Sequence, residues 1–329
     1  MSHRDRYCRL WRTHVLQQGG VKKLWTTTGQ LNEVRLKDPN NLLKGYFLDY
    51  SLDTQYPGPF DSHGVPLIDY GGTVGVRYNP WAVSHYALAI FQKFLQTGDP
   101  CYKKRFLILS DWLVAHGQLQ PHNNTILWIY DFDYPPAIKA PWFSALAQSV
   151  AISVLLRSYL LVGQSKYLQT AQGAFQAFTL DISQGGVSTR DSNGYLFFEE
   201  TVPVRIYHIL NGFISSLWGI YEYWAVTQEH QAQALFEEGL RSLEYYLPQY
   251  DVGWASLYSL FHLKSGSRLK DVASPFYHEF HVKQLNVLYR LSGCALFDEY
   301  HQRWQSYLHS PLCQARTLAA KAIFKLVHY

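Results

Sequence analysis

The sequence predicts a mainly α-helical protein: about four helical hairpins closed into an α/α barrel, or toroid, with a small N-terminal strand-and-loop region packed against it. Three observations lead there. From Trp81 onward apolar residues recur every third and fourth position, whereas residues 1–80 are rich in Gly, Pro, Asp and Thr between short runs. The helical pattern breaks at Gly98, Gly163, Gln228 and Gly293, each 65 residues after the one before. Four residues beyond three of these breaks stands an aromatic residue, Tyr102, Tyr167 or Phe297, with Ala232 in the remaining copy. A repeat of that length is too long for the common solenoids.

The elements follow in order. Runs such as KKLWTTTG, KGYFLDYSLD and GVPLIDYGG read as short strands and loops and make residues 1–80 one region. Residues 81–329 form the barrel domain. VSHYALAIFQKFLQTG, FSALAQSVAISVLLRSYLLVG, YHILNGFISSLWGIYEYWAVTQ and HEFHVKQLNVLYRLSG each read as one amphipathic helix, followed after the break by a second. If inner and outer helices alternate, the connections at 120–142, 180–207 and 249–277 lie at one end of the barrel. Connections of that length in a compact domain usually carry function. The competing architecture is an open helical superhelix with plain loops.

Composition narrows the function classes. The chain has 329 residues, 47% of them hydrophobic and 16% charged, far from the signature of disorder. Its net charge of +4 comes with no basic run, which argues against nucleic acid and tolerates an acidic glycan. Ten Trp, 25 Tyr and 18 Phe either fill a helical core or stack on sugar rings. Cys8, Cys101, Cys294 and Cys313 form no CxxC pair and have no His at ligand spacing, so neither a metal nor another cofactor is expected. The N-terminus lacks a secretory apolar run and no transmembrane segment is expected, which reads as a cytoplasmic chain. A homodimer is left open.

The long connections hold the candidate chemistry. The third carries Tyr258 and Tyr277, with His262, His278 and His281 around them; the second ends in FFEETVPV, with Glu199 and Glu200 ahead of a helix. The histidines either supply positive charge that lowers a tyrosine pKa and binds a carboxylate, or are hydrogen-bonded residues at a helix start. Glu279 on the same turn reads as a capping feature. Trp142 is a sugar platform or a packing residue, Asp131 and Asp133 bind hydroxyls or make a turn, and Arg77 faces an acidic sugar or a neighbouring carboxylate.

The ordered set YNPWAVSHYALA, APWFSALAQSVAIS, FFEETVPVRIYHILNGF, LPQYDVGWASLYSLFH and YHEFHVKQLNVL, across roughly residues 75–290, resembles the C-terminal catalytic region of D-glucuronyl C5-epimerases (heparosan-N-sulfate-glucuronate 5-epimerases) in a bacterial-type short form. The large N-terminal β domain of the animal enzymes is expected to be absent or cut down. The resemblance implies inversion of D-glucuronate to L-iduronate in a glycan. It makes Glu200, Tyr258 and Tyr277 catalytic and Asn211 a substrate contact. Two positions depart from the family pattern: Thr201 stands for a tyrosine after the glutamate, and Phe261 for an arginine that faces the substrate. Loss of that guanidinium removes a bidentate carboxylate partner. Inverting carbon 5 needs two proton-transfer groups on opposite faces of the ring, and Glu200 and Tyr277 come from different connections. The rival readings are a uronate lyase, which begins with the same proton abstraction, and a non-catalytic acidic-glycan-binding protein.

Overall fold

The computed structural model describes residue 25 and residues 28–33, 38–134, 138–204 and 206–328. Most of the expected strand at KKLWTTTG, the first twenty residues and Cys8 lie outside them. Two short antiparallel ladders come first: β1 (Gln30–Leu31) pairs with β2 (Leu48–Asp49), and β3 (Ile68–Asp69) with β4 (Val76–Arg77). The helices then alternate as the pattern predicts. The first two hairpins are α1 (Pro80–Thr97) with α2 (Pro100–His116) and α3 (Ala145–Val162) with α4 (Ser165–Thr179). They are followed by α5 (Leu210–Thr227) with α6 (His230–Tyr246), a short α7 (Phe261–Ser265), and α8 (Pro275–Ser292) with α9 (Ala295–Leu308).

The leading helices α1, α3, α5 and α8 are 18 residues long each, and their first residues fall at the 65-residue period. All four end in the left-handed conformation at the positions where the pattern breaks: Gly98 (φ 69°), Gly163 (φ 68°), Gln228 (φ 57°) and Gly293 (φ 71°). Glycine takes that conformation without steric cost. Gln228 lacks that freedom and sends its Nε2 back to the Ala225 carbonyl at 2.8 Å.

The leading helices pack on one another in chain order, α1 on α3, α3 on α5 and α5 on α8, and each packs against its own hairpin partner. A small cavity is lined by residues of all four: Trp81 and His85, Leu146 and Val150, Ser215, and Phe280. Trp25 stands between the first and the last. Its ring lies 5.0 Å from Trp81 on α1 and 4.8 Å and 5.0 Å from Phe276 and Phe280 on α8.

Two buried polar contacts tie the N-terminal region to the helices. Arg157 on α3 and Glu222 on α5 occupy equivalent positions of successive hairpins and bond at 2.7 and 2.9 Å. The same guanidinium donates to the Gly45 carbonyl at 2.7 Å and covers the Tyr46 ring. His85 on α1 meets Asp53 at 2.8 Å, both out of solvent. α3 is long and apolar enough to cross a membrane, but most of it is buried among the other helices, as a core helix is.

Two features depart from the sequence reading. Strands extend beyond the N-terminal region, because the first two connections each fold back on a ladder: β5 (Gln118–Gln120) with β6 (Thr125–Leu127), and β7 (Ser188–Arg190) with β8 (Leu196–Phe198). The reversals are built by polar turn residues, Asn124 at φ 57° in the first and Asp191 with Gly194 in the second. After the fourth hairpin a further helix, α10 (Pro311–His328), packs on α8 and α9, with Thr317 and Phe324 buried.

Candidate active site

The N-terminus of α5 organises the site. Glu199 and Glu200 follow β8 in extended chain, so their side chains leave in opposite directions. Glu199 turns inward: its carboxylate accepts from His208 Nδ1 at 2.6 Å, from the His208 amide at 3.2 Å and from Thr189 Oγ1 at 2.9 Å. Glu200 turns to the helix start, where Asn211 Nδ2 donates to Oε1 at 3.2 Å and the carboxylate lies against Gly212. A Cβ on Gly212 would stand 2.0 Å from Glu200 Oε1, so only glycine leaves the carboxylate this seat. Burial, reinforced by the Glu199 charge, pushes the Glu200 carboxyl up to about 8 against Asn211 and Gly212, which favour its ionised form.

Tyr258 is fixed through its backbone. Its carbonyl accepts from Leu210, the first amide of α5, at 3.0 Å, and its own amide donates to the Asp271 carbonyl at 2.7 Å. Tyr277 sits on the first turn of α8, where its amide donates to Ser274 Oγ at 3.4 Å. The two rings meet at 4.8 Å with a 64° interplanar angle. Burial raises the Tyr277 pKa, and the nearby Glu200 and Tyr134 raise it further. Glu200, Asn211, Tyr258 and Tyr277 therefore belong to one cluster at the N-terminal ends of α5 and α8.

The histidines are not positioned to serve that cluster with charge. His278 and His281 are buried and both take Ser256 Oγ as a partner of Nδ1 at 2.8 Å. His278 Nδ1 also accepts from the Ser256 amide at 3.1 Å, while its Nε2 donates to the Trp304 carbonyl at 3.2 Å, which fixes a neutral ring. Burial holds its pKa down to about 4, and that of His281 well below the usual value. His262 on α7 is half-buried and likewise lowered, by burial and by Lys270.

Trp142 is corrected as a platform: it is buried, stacked on Tyr130 at 3.8 Å, with Nε1 donating to the Phe132 carbonyl at 3.0 Å. Arg77 is exposed on β4 and donates to the Val74 carbonyl of its own hairpin at 3.0 Å. Asp133 accepts from Lys139 Nζ at 2.6 Å and from the Ala140 amide at 3.0 Å, the work of a turn residue. Glu279 pairs with Lys283 at 2.8 Å and accepts from Thr28 Oγ1 at 2.7 Å, so it is occupied by the N-terminal segment.

The cation at the tyrosines is one the sequence reading missed. Lys321 on α10 bonds Asp271 at 2.8 Å and lies 5.1 Å from the Tyr258 ring. Phe261, at the family's arginine position, packs its ring on Phe324 and His328 of that same helix. No local motif marks Lys321; the only cue was helical periodicity after residue 311. Trp25 was also missed, and its ring meets Tyr277 edge-on at 5.7 Å. Among the described residues no group of three or more His, Cys, Asp or Glu is arranged to hold a metal ion.

The profile of the D-glucuronyl C5-epimerase C-terminus matches residues 122–306, more than half of the chain and a span that contains Glu200, Asn211, Tyr258 and Tyr277. An uncharacterized protein of Methanocaldococcus jannaschii is 28% identical over 271 residues, covering 76% of this chain and 85% of that protein. A D-glucuronyl C5-epimerase of Caenorhabditis elegans is 28% identical over 239 residues, 68% of this chain but 38% of the enzyme, so the chain spans well under half of that relative's length. By that match over more than half of its length, the chain belongs to the D-glucuronyl C5-epimerase C-terminus family.

Proposed function

We infer that the protein inverts carbon 5 of D-glucuronate to L-iduronate within an acidic glycan, by proton transfer on two faces of the ring. The observation that carries this reading is the clustering of one carboxyl group, Glu200, with two phenols, Tyr258 and Tyr277, brought in by different connections. Ionised Glu200 takes the proton from carbon 5, and the electron pair left behind moves into the uronate carboxylate. The Tyr277 hydroxyl then gives its proton to the opposite face. The resulting phenolate is stabilised by the Tyr258 hydroxyl and is reprotonated as Glu200 releases its proton to solvent. Because Glu200 is held protonated up to about 8, removal of the proton from its face accelerates as pH rises through that value.

With the histidines neutral, Lys321 is the group we assign to offset charge around the tyrosines. We also read the four hairpins as a closed α/α toroid; the cavity shared by all four leading helices and the Trp25 ring between α1 and α8 support it.

The test is incubation of the purified protein in deuterated water with a panel of glucuronate glycans, followed by NMR of the sugar. Deuterium at carbon 5 together with L-iduronate supports the reading. An unsaturated uronate absorbing in the near ultraviolet would make the protein a lyase instead. Binding with neither product would make it a non-catalytic glycan-binding protein.

A further inference from the structure

The 65-residue repeat exposes one helix start that breaks its own rule. The residues preceding α1, α3, α5 and α8 are Asn79, Ser144, Ile209 and Ser274, again 65 apart. Three of them cap the helix by accepting from the third amide: Asn79 from Ala82 at 3.1 Å, Ser144 from Ala147 at 3.4 Å and Ser274 from Tyr277 at 3.4 Å. Ile209 has no acceptor in its side chain and caps nothing, although its backbone (φ −74°, ψ 121°) is that of an ordinary cap residue. In this repeat the third residue of the helix is Gly212, and the Glu200 carboxylate lies against it, with Oε1 2.0 Å from where a Cβ would stand.

We propose that Ile209 and Gly212 are positioning residues for Glu200: the third leading helix lacks a cap of its own so that the carboxylate of Glu200 takes the cap's place, in space that Gly212 alone leaves open. The steric half rests on the 2.0 Å between Glu200 Oε1 and a Cβ built on Gly212, with Glu200 Cγ and Cδ at 2.4 and 2.6 Å from the same point. The electrostatic half rests on the helix amide, which favours the ionised carboxylate. Facing Glu200 besides Gly212 and Asn211 are Glu199 from its own strand, held by His208, Tyr130 from the first connection and Tyr277 from α8. Neither lysine nor arginine is among these, and Asn211 and Gly212 at the helix start are the groups that counter burial.

Turnover measurements here rest on the proposed epimerase reading; the titration of Glu200 does not. Ile209→Ser supplies the hydroxyl that Ser144 and Ser274 use, in competition for the Gly212 amide. The carboxyl signal of Glu200, followed by 13C NMR in the free protein, is expected to titrate about one to two pH units higher in this variant, the order of one charge-assisted hydrogen bond. Thermal stability should be unchanged or higher, because the helix keeps a cap. Gly212→Ala should displace the carboxylate and abolish turnover while Tyr277→Phe and Glu200→Gln serve as inactive references. Ser144→Ala, which uncaps a helix carrying no proton-transfer group, should lower stability and leave the Glu200 titration where it was. An unmoved Glu200 titration in both Ile209→Ser and Gly212→Ala would overturn the proposal. A wild type inactive on every glycan would overturn the epimerase reading alone, since the titration still decides the positioning role.

Discussion

At the residue scale, Glu200 holds its proton more tightly in the folded chain than its ordinary value of 4.5 allows in the unfolded one. The folded state therefore binds more protons than the unfolded state between about 4.5 and 8, and this residue's contribution to stability falls as pH rises across that window. Glu200→Gln removes the ionisable group and keeps the shape. Its melting temperature at pH 8 should exceed that of the wild type by about 2–4 °C or more, and by less at pH 5, in calorimetric scans. An equal gain at both pH values would mean that Glu200 is not held protonated. The sequence pointed to Glu200 and the two tyrosines because a family motif marks them. It did not reveal that His278 and His281 are neutral, since their partners Ser256 and Trp304 lie 22 or more residues away along the chain. Lys321 was invisible for the same reason: its meaning comes from packing of α10 on the third connection.

At the element scale, the period of 65 was legible because helix ends have their own chemistry, and the cap positions obey the same arithmetic, with Ile209 as the exception among Asn79, Ser144 and Ser274. Gln228 is the corresponding exception at the opposite end. A non-glycine residue in the left-handed region costs about 1–2 kcal/mol, partly offset here by its hydrogen bond to Ala225. Gln228→Gly should accordingly stabilise the protein by about 0.5–1 kcal/mol in urea unfolding. The variants Gly98→Gln, Gly163→Gln and Gly293→Gln should each do the reverse. No change at any of the four would mean that these caps do not limit stability. The ladders β5–β6 and β7–β8 escaped the sequence reading because strands of three residues carry too little alternation to stand out from loop.

At the scale of the whole molecule, the buried Arg157–Glu222 pair joins two leading helices to the Gly45 carbonyl and the Tyr46 ring of the N-terminal region. Glu222→Gln leaves a buried guanidinium without its counter-charge and should cost about 3–5 kcal/mol, read as a lower urea midpoint. Replacing both partners together, Arg157→Met with Glu222→Leu, should recover most of that loss. The pair was not legible in the sequence, although both residues sit at the same position of successive repeats, because an apolar helix hides an isolated charge until its partner is known.

In the proposed mechanism Glu200 and Tyr277 serve opposite faces of one uronate. That assignment is tested most directly by following deuterium at carbon 5 in Tyr277→Phe, with glucuronate glycan in deuterated water and NMR that resolves retained from inverted product. Deuterium is expected to enter with retention, delivered and removed by Glu200 alone, while L-iduronate does not form. Inversion at the wild-type rate in Tyr277→Phe would contradict the mechanism.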